Sequence, residues 1–197
     1  MLTEANLFGS STQLPDGTGE DFARSDGQVR AVDPRRGGSS VKPVSVSVTV
    51  PTGRADVYGF LDVLANHEGF TNHMLVDWSY AGPPSGVGAR ARMRVKKPGR
   101  ADWINLEVTD AQPPRGSTEE SVSAAGRRRT RGTYSLEELP EGGTRITFEL
   151  AWLQIPLIER LAAPITRAVV RRGNQRSLDR LGEQLRKGDR SHESAIE

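Results

Sequence analysis

The chain has 197 residues, 35% apolar and 26% charged, with a net charge of +2 and no cysteine. That length suits one ordinary domain with room for tails, and it can bury a core without disulfides or a structural metal. The missing cysteines exclude a disulfide scaffold, a thiolate zinc site, an iron–sulfur cluster and a cysteine nucleophile.

The opening MLTEANLFGSS lacks the basic patch and apolar stretch of a secretory signal. No apolar run approaches the roughly 18 residues of a membrane span. The expected location is cytoplasmic. Residues 1–41 hold six Gly, five Ser, three Thr and two Pro without apolar periodicity. Such a segment cannot offset its ordering entropy and is predicted to be a disordered tail, ending in the linker Arg35-Arg36-Gly37-Gly38-Ser39-Ser40.

From Lys42 the pattern changes. Val44, Val46, Val48 and Val50 alternate with Ser45, Ser47 and Thr49, which predicts a half-buried strand. Ala55 to Ala65 carries Val57, Phe60, Leu61 and Leu64 at helical spacing, and Asn66 to Asn72 reads as a turn or second short helix. Met74, Val76, Trp78 and Tyr80 share one parity on the next strand. Ala89, Ala91, Met93 and Val95 then alternate with Arg90, Arg92, Arg94 and Lys96, giving one small apolar face and one cationic face. Ile104, Leu106 and Val108 mark a further strand that ends at Pro113-Pro114.

Gly116 to Ser123 is polar, and Ala125-Gly126 looks like a hairpin turn. Arg128, Thr130, Gly132, Tyr134 and Leu136 share a face on the strand after it, and Thr144, Ile146, Phe148, Leu150 and Trp152 pattern the last strand. Ile155 to Lys187 reads as one long helix, with Pro156 in its first turn, a kink at Pro164 and a stop at Gly188. Its expected inner stripe is Ile158, Leu161, Ile165, Ala168 and Val169, continued by Leu178, Leu181 and Leu185 after a drift near Gly173. Residues 188–197 read as a C-terminal tail. Six strands on short turns imply an antiparallel meander, whose apolar face the long helix must cover.

That order resembles the helix-grip (SRPBCC) superfamily of START lipid-transfer domains and the birch-pollen allergen. The run HEGFTNHMLVDWSYAGPPSGVGARARM is similar to its bacterial polyketide cyclase/dehydrase-like, lipid-transport-type branch, as are DAQPPRG, GTYSLEELPEGGTRITFEL and LDRLGEQLRK. The resemblance spans about residues 42–187 and implies an α+β helix-grip domain, a curved antiparallel sheet wrapped around a long C-terminal helix. It implies a hydrophobic ligand cavity more firmly than an activity.

Inward parity predicts the wall of that cavity: Val76, Trp78, Tyr80, Met93, Ile104, Leu106, Val108, Thr130, Tyr134, Ile146, Phe148 and Leu150 from the strands, and Ile158, Leu161, Ile165 and Val169 from the helix. The competing expectation is an ordinary packed core. Adjacent Glu119 and Glu120 point to opposite faces. With Ala125-Gly126 as a two-residue loop, Glu119 lies opposite Gly132 on the inner face, and Glu120 pairs with Arg131 outside. One residue more or less in the loop reverses this, and a strand at the sheet margin would leave both carboxylates solvated. A carboxylate facing a cavity has a raised pKa and can transfer protons.

His67 and His73 lack a third ligand, so a loop-lining or capping role is expected and no metal or other cofactor. The basic row Arg90–Lys96, the run RRRTR and the +5 charge of the helix admit three readings. They are a solvated surface with Glu107 and Glu149 as partners, contact with an anionic membrane surface, and nucleic-acid binding. No aromatics interleave the cations, which argues against nucleic acid. The expected function is binding or transport of a hydrophobic small molecule such as a lipid, isoprenoid or polyketide-like compound. The alternatives are a cyclase or dehydratase acting through Glu119 or Glu120 with Tyr134, and an accessory protein with a vestigial cavity.

Overall fold

The computed structural model describes residues 41–193 except 98 and 100, with side chains followed to Gly188. The expected tail ahead of Val41 and residues 194–197 lie outside the described residues.

Strand β1 (Val44–Val50) buries Val44, Val46 and Val50 and exposes Ser45, Ser47 and Thr49, as its alternation requires. Helix α1 (Arg54–Leu61) turns Val57 and Leu61 inward. A 3₁₀ turn (Leu64–Asn66) and α2 (His67–Thr71) follow, burying Leu64, His67 and Phe70. Then come β2 (Leu75–Ala81), β3 (Arg90–Val95), β4 (Trp103–Gln112), β5 (Gly116–Ser123), β6 (Arg128–Glu138) and β7 (Thr144–Gln154). All pairings are antiparallel, and the strand order is β1-β7-β6-β5-β4-β3-β2. The meander is therefore closed at one end by the first strand lying against the last. β5 is the central strand, so the expectation that places it at the sheet margin does not hold.

The C-terminal segment is two helices, α3 (Leu157–Leu161) and α4 (Ala163–Glu193). Instead of a kink at Pro164, the chain breaks at Ala162, and Pro164 falls in the first turn of α4, where its missing N–H costs nothing. Gly188 is not a stop, because α4 runs through it to Glu193. A helical glycine costs only about 1 kcal/mol, so it marks an end only where the chain also turns away.

Leu178, Leu181 and Leu185 of α4 join Val44, Val46, Val50, Phe70, Ile146 and Phe148 in the main core. A Cβ at Gly182 would stand 3.4 Å from Val48 Cγ2, so the helix lies close on β1. A second cluster, formed by Leu64, Ala89, Ala91, Met93 and Val108, fills the β2–β4 end.

The predicted stripe on the first half of the helix is overturned. Ile158, Leu161, Ile165 and Val169 are 66–87% exposed. Leu178 lies thirteen residues beyond Ile165, about 3.6 turns, which brings it to nearly the opposite side of the helix. The two apolar stripes cannot both face the sheet. The three leucines of the second half take the sheet-facing side, and Ala163 and Val170 carry the first half against the core.

Candidate functional site

The hairpin of β5 and β6 sets the site. Gly126 N donates to Ser123 O and Arg127 N to Ala124 O, with Ala124, Ala125 and Gly126 all at positive φ. The resulting register pairs Glu119 with Gly132, Glu120 with Arg131 and Ser121 with Thr130. Glu120 points outward, where Arg131 forks onto its Oε1 at 2.7 and 3.1 Å.

Glu119 points inward on the same parity as Tyr134, across from Val108 of β4. A Cβ at position 132 would lie 2.8 Å from Glu119 Oε1 and 2.9 Å from Phe148 Cε2. Glycine in this strand interior thus leaves the space into which the glutamate folds, against the Phe148 ring. Loss of water around the carboxyl pushes its pKa up to about 7. No described residue donates a hydrogen bond to it. Burial, and the charge of Glu119, raise the Tyr134 hydroxyl well above its usual range.

Tyr134 joins an aromatic group. Its ring centroid is 4.7 Å from that of Phe148 and 5.8 Å, edge-on, from that of His67, which is 5.2 Å from Phe70. His67 Nε2 donates to Leu61 O at 2.8 Å, which places the proton on that nitrogen. Burial lowers its pKa to about 4, so the ring is neutral at pH 7. Ser121 and Thr130 exchange a hydroxyl hydrogen bond at 2.7 Å on the same inner face. The inner face of the central strands thus holds one carboxyl, one phenol and a hydroxyl pair among apolar walls, with the neutral imidazole of His67 facing it from α2.

Met93, Val108, Ile146 and Phe148 are buried. Trp78, Ile104, Leu106 and Leu150 are half-buried against the two clusters. Two β2 residues differ from the predicted wall. Asp77, at φ 57, forms a bulge that shifts the register between Val76 and Ser79. Val76 therefore pairs with Arg94 on the outer face. Trp78 and Tyr80 regain the inner parity beyond the bulge, but Tyr80 is 43% exposed at the sheet edge, its hydroxyl donating to Glu68. His67 is the site residue that its sequence context did not reveal. Its spacing to Phe70 suits a helix, but its contact with Tyr134 exists only once α2 docks on β6.

At the turn end of the β5–β6 hairpin, Asp102 accepts from Arg128 Nη1, Lys97 Nζ and Ala124 N at 3.0–3.1 Å. Burial alone would raise its pKa, but these donors outweigh it and hold the carboxyl below the usual range. Arg128 also forks onto both oxygens of Glu159, tying α3 to the sheet. An open cleft of about 240 Å³ lies at the β2–β3 end, lined by Leu64, Tyr80, Pro83, Pro84, Ala89 and Arg90 among others. It offers no carboxylate or histidine, and the nearest strand in its lining, β3, is two strands from the β5 that carries Glu119. Among the described residues no group of three or more His, Asp or Glu side chains could hold a metal ion, and no helix is long and apolar enough to cross a membrane.

No family model and no curated protein matches the chain. Solved structures do. The Zhui aromatase/cyclase from Streptomyces sp. R1128 superposes with a TM-score of 0.61 at 15% identity, over 75% of this chain and 94% of that one. TTHA0849 from Thermus thermophilus gives 0.59 at 20% identity, over 75% and 99%. Ara h 8.0201 gives 0.50 at 12% identity, over 72% and 98%. The chain has the helix-grip fold that these proteins share.

Proposed function

We propose that this domain is a cytoplasmic carrier that binds a hydrophobic small molecule (a lipid, isoprenoid or polyketide-like compound) between the inner face of the sheet and the helices. The observation that carries the reading is Glu119. It keeps part of its surface accessible while its carboxyl is stripped of bulk water, the combination expected beside an internal space. The half-buried Trp78, Ile104, Leu106 and Leu150 on the same side support such a space, since a filled core would bury them. A largely apolar pocket with few polar groups is the usual form of a small-molecule site. Glu119, Tyr134 and the Ser121–Thr130 pair supply the groups that orient the ligand.

Native mass spectrometry of purified protein tests the carrier directly, a co-purified hydrophobic mass being the expected result. Titration with 1-anilinonaphthalene-8-sulfonate tests the role of Glu119. An anionic probe beside this carboxyl binds more tightly at pH 6 than at pH 8, and Glu119→Gln abolishes the difference. A clean apo mass together with no probe binding would assign the domain instead to an accessory protein with a vestigial cavity.

A second reading is a cyclase or dehydratase acting on a polyketide-like substrate. The proximity of Glu119 to Tyr134 favours it, because a carboxyl titrating near 7 suits proton transfer. Catalysis also needs that carboxyl held by a second polar group, and no described residue does so. Turnover that Glu119→Gln eliminates, with probe binding retained, would decide for the enzyme.

A further inference from the structure

The side of α3 and of the first half of α4 that points away from the sheet carries Leu157, Ile158, Leu161, Ile165 and Val169, each at least 66% exposed. This is not a helix caught half-docked, because its inner side is already occupied. Ala163 and Val170 pack on the main core, Arg167 donates to Lys42 O and Pro43 O, and Arg128 clamps Glu159. The aliphatic side chains are held outward by contacts made elsewhere. Five of them side by side form the kind of contiguous apolar patch that marks an interaction surface rather than scattered exposure.

The same line continues as cations. Arg172 lies seven residues after Ile165 and Arg176 seven after Val169, close to two turns, and both are exposed. Among the described residues no acid pairs with Arg172, Arg176, Arg160 or Arg171. Glu159, the acid within α3, is taken by Arg128. The patch is therefore aliphatic at its centre and bordered by unpaired arginines, the exposed acids Asp179 and Glu183 lying a further two turns along the helix.

We propose that this face docks on an anionic lipid bilayer, with α3 and the first half of α4 lying in the interface plane. The aliphatic side chains enter the headgroup boundary and Arg172 and Arg176 meet anionic headgroups. A second copy of the chain could cover the aliphatic centre but would bring the same bordering arginines with it, whereas an anionic surface meets them with opposite charge throughout. The docking rests on this surface alone and holds whether or not the interior binds a ligand.

Co-sedimentation of the full chain with vesicles tests it, using phosphatidylcholine alone and phosphatidylcholine mixed with phosphatidylserine, each at low and high salt. The expected result is binding to the mixed vesicles that salt weakens and little binding to the neutral ones. Arg172→Gln with Arg176→Gln lowers the affinity on the order of 30-fold. Ile165→Ser with Val169→Ser lowers it as well, while thermal unfolding of both variants stays close to that of the parent because none of the four side chains is buried. Equal binding to neutral and anionic vesicles, or no binding to either, overturns the proposal. So does a concentration-dependent dimer that Ile165→Ser with Val169→Ser dissolves in a protein indifferent to vesicles, which would give the face to a second copy.

Discussion

At the scale of single residues, Glu119 and His67 are opposed. The glutamate titrates at about 7 in the folded chain and near 4.5 when unfolded, so between those values the folded state holds a proton that the unfolded state has lost. Stability then falls as pH rises from 4.5 to 7. The histidine titrates at about 4 when folded and near 6.5 when unfolded, so between those values the unfolded state binds the extra proton and stability rises with pH. The two slopes nearly cancel between pH 4.5 and 6.5. Glu119→Gln removes one of them. Its unfolding free energy, measured in denaturant across the range, should match the parent at pH 4, climb toward pH 6.5, and exceed the parent at pH 8 by up to ~3 kcal/mol. A variant that tracks the parent at every pH would mean that Glu119 is solvated. The place of Glu119 is legible in the sequence only as one of two alternatives, because strand alternation separates it from Glu120 while the loop length that chooses between them is set by the folded hairpin. The bulge at Asp77 is not legible at all. A single aspartate at positive φ carries no sequence mark, yet it moves Val76 to the outer face.

At the scale of elements, the order of strands and helices can be read from the periodicities, because every strand but the polar β5 alternates apolar with polar residues over part of its length. The orientation of the C-terminal helices cannot be read so simply, since their sequence holds two apolar stripes and only packing chooses between them. What fixes α3 is the ion cluster at the turn end of the β5–β6 hairpin. Arg128 bridges Asp102 and Glu159, joining the β3–β4 turn, β6 and α3. Arg128→Met leaves both acids without this partner and should lower stability by roughly 2–4 kcal/mol, the cost of breaking a largely buried pair. Because the Asp102 pKa is held below its ordinary value, the contribution of that acid is present above pH 3.8 and is lost as the pH drops below it. Glu159→Gln separates the two halves of the cluster. It should quicken amide exchange in residues 157–162 while global stability changes by no more than about 1 kcal/mol, since a partly exposed pair contributes little to the whole fold. Uniform acceleration through β5 and β6 as well would show that α3 is no independent unit.

At the scale of the whole molecule, the two ends of α4 have different work. Its second half is fold: Leu178 and Leu181 are fully buried against β1 and α2, and Gly182 lets the helix close on the sheet edge. Its first half, with α3, joins the core through few side chains and turns its larger ones to solvent. A helix that only closed the core would have its apolar residues on one side throughout. Here the amphipathic face reverses along a continuous helix, so the first half has been given a surface that stability does not require. That separation is measurable. Leu181→Ala opens a cavity in the main core and should cost ~2–5 kcal/mol of global stability. Leu161→Ser, at a position 87% exposed, should stay within about 0.5 kcal/mol of the parent. Chemical denaturation of the two variants decides the matter. A loss at Leu161 comparable to that at Leu181 would mean that the outward stripe is covered in solution by part of the same molecule, and the division of the helix between fold and docking surface would fail.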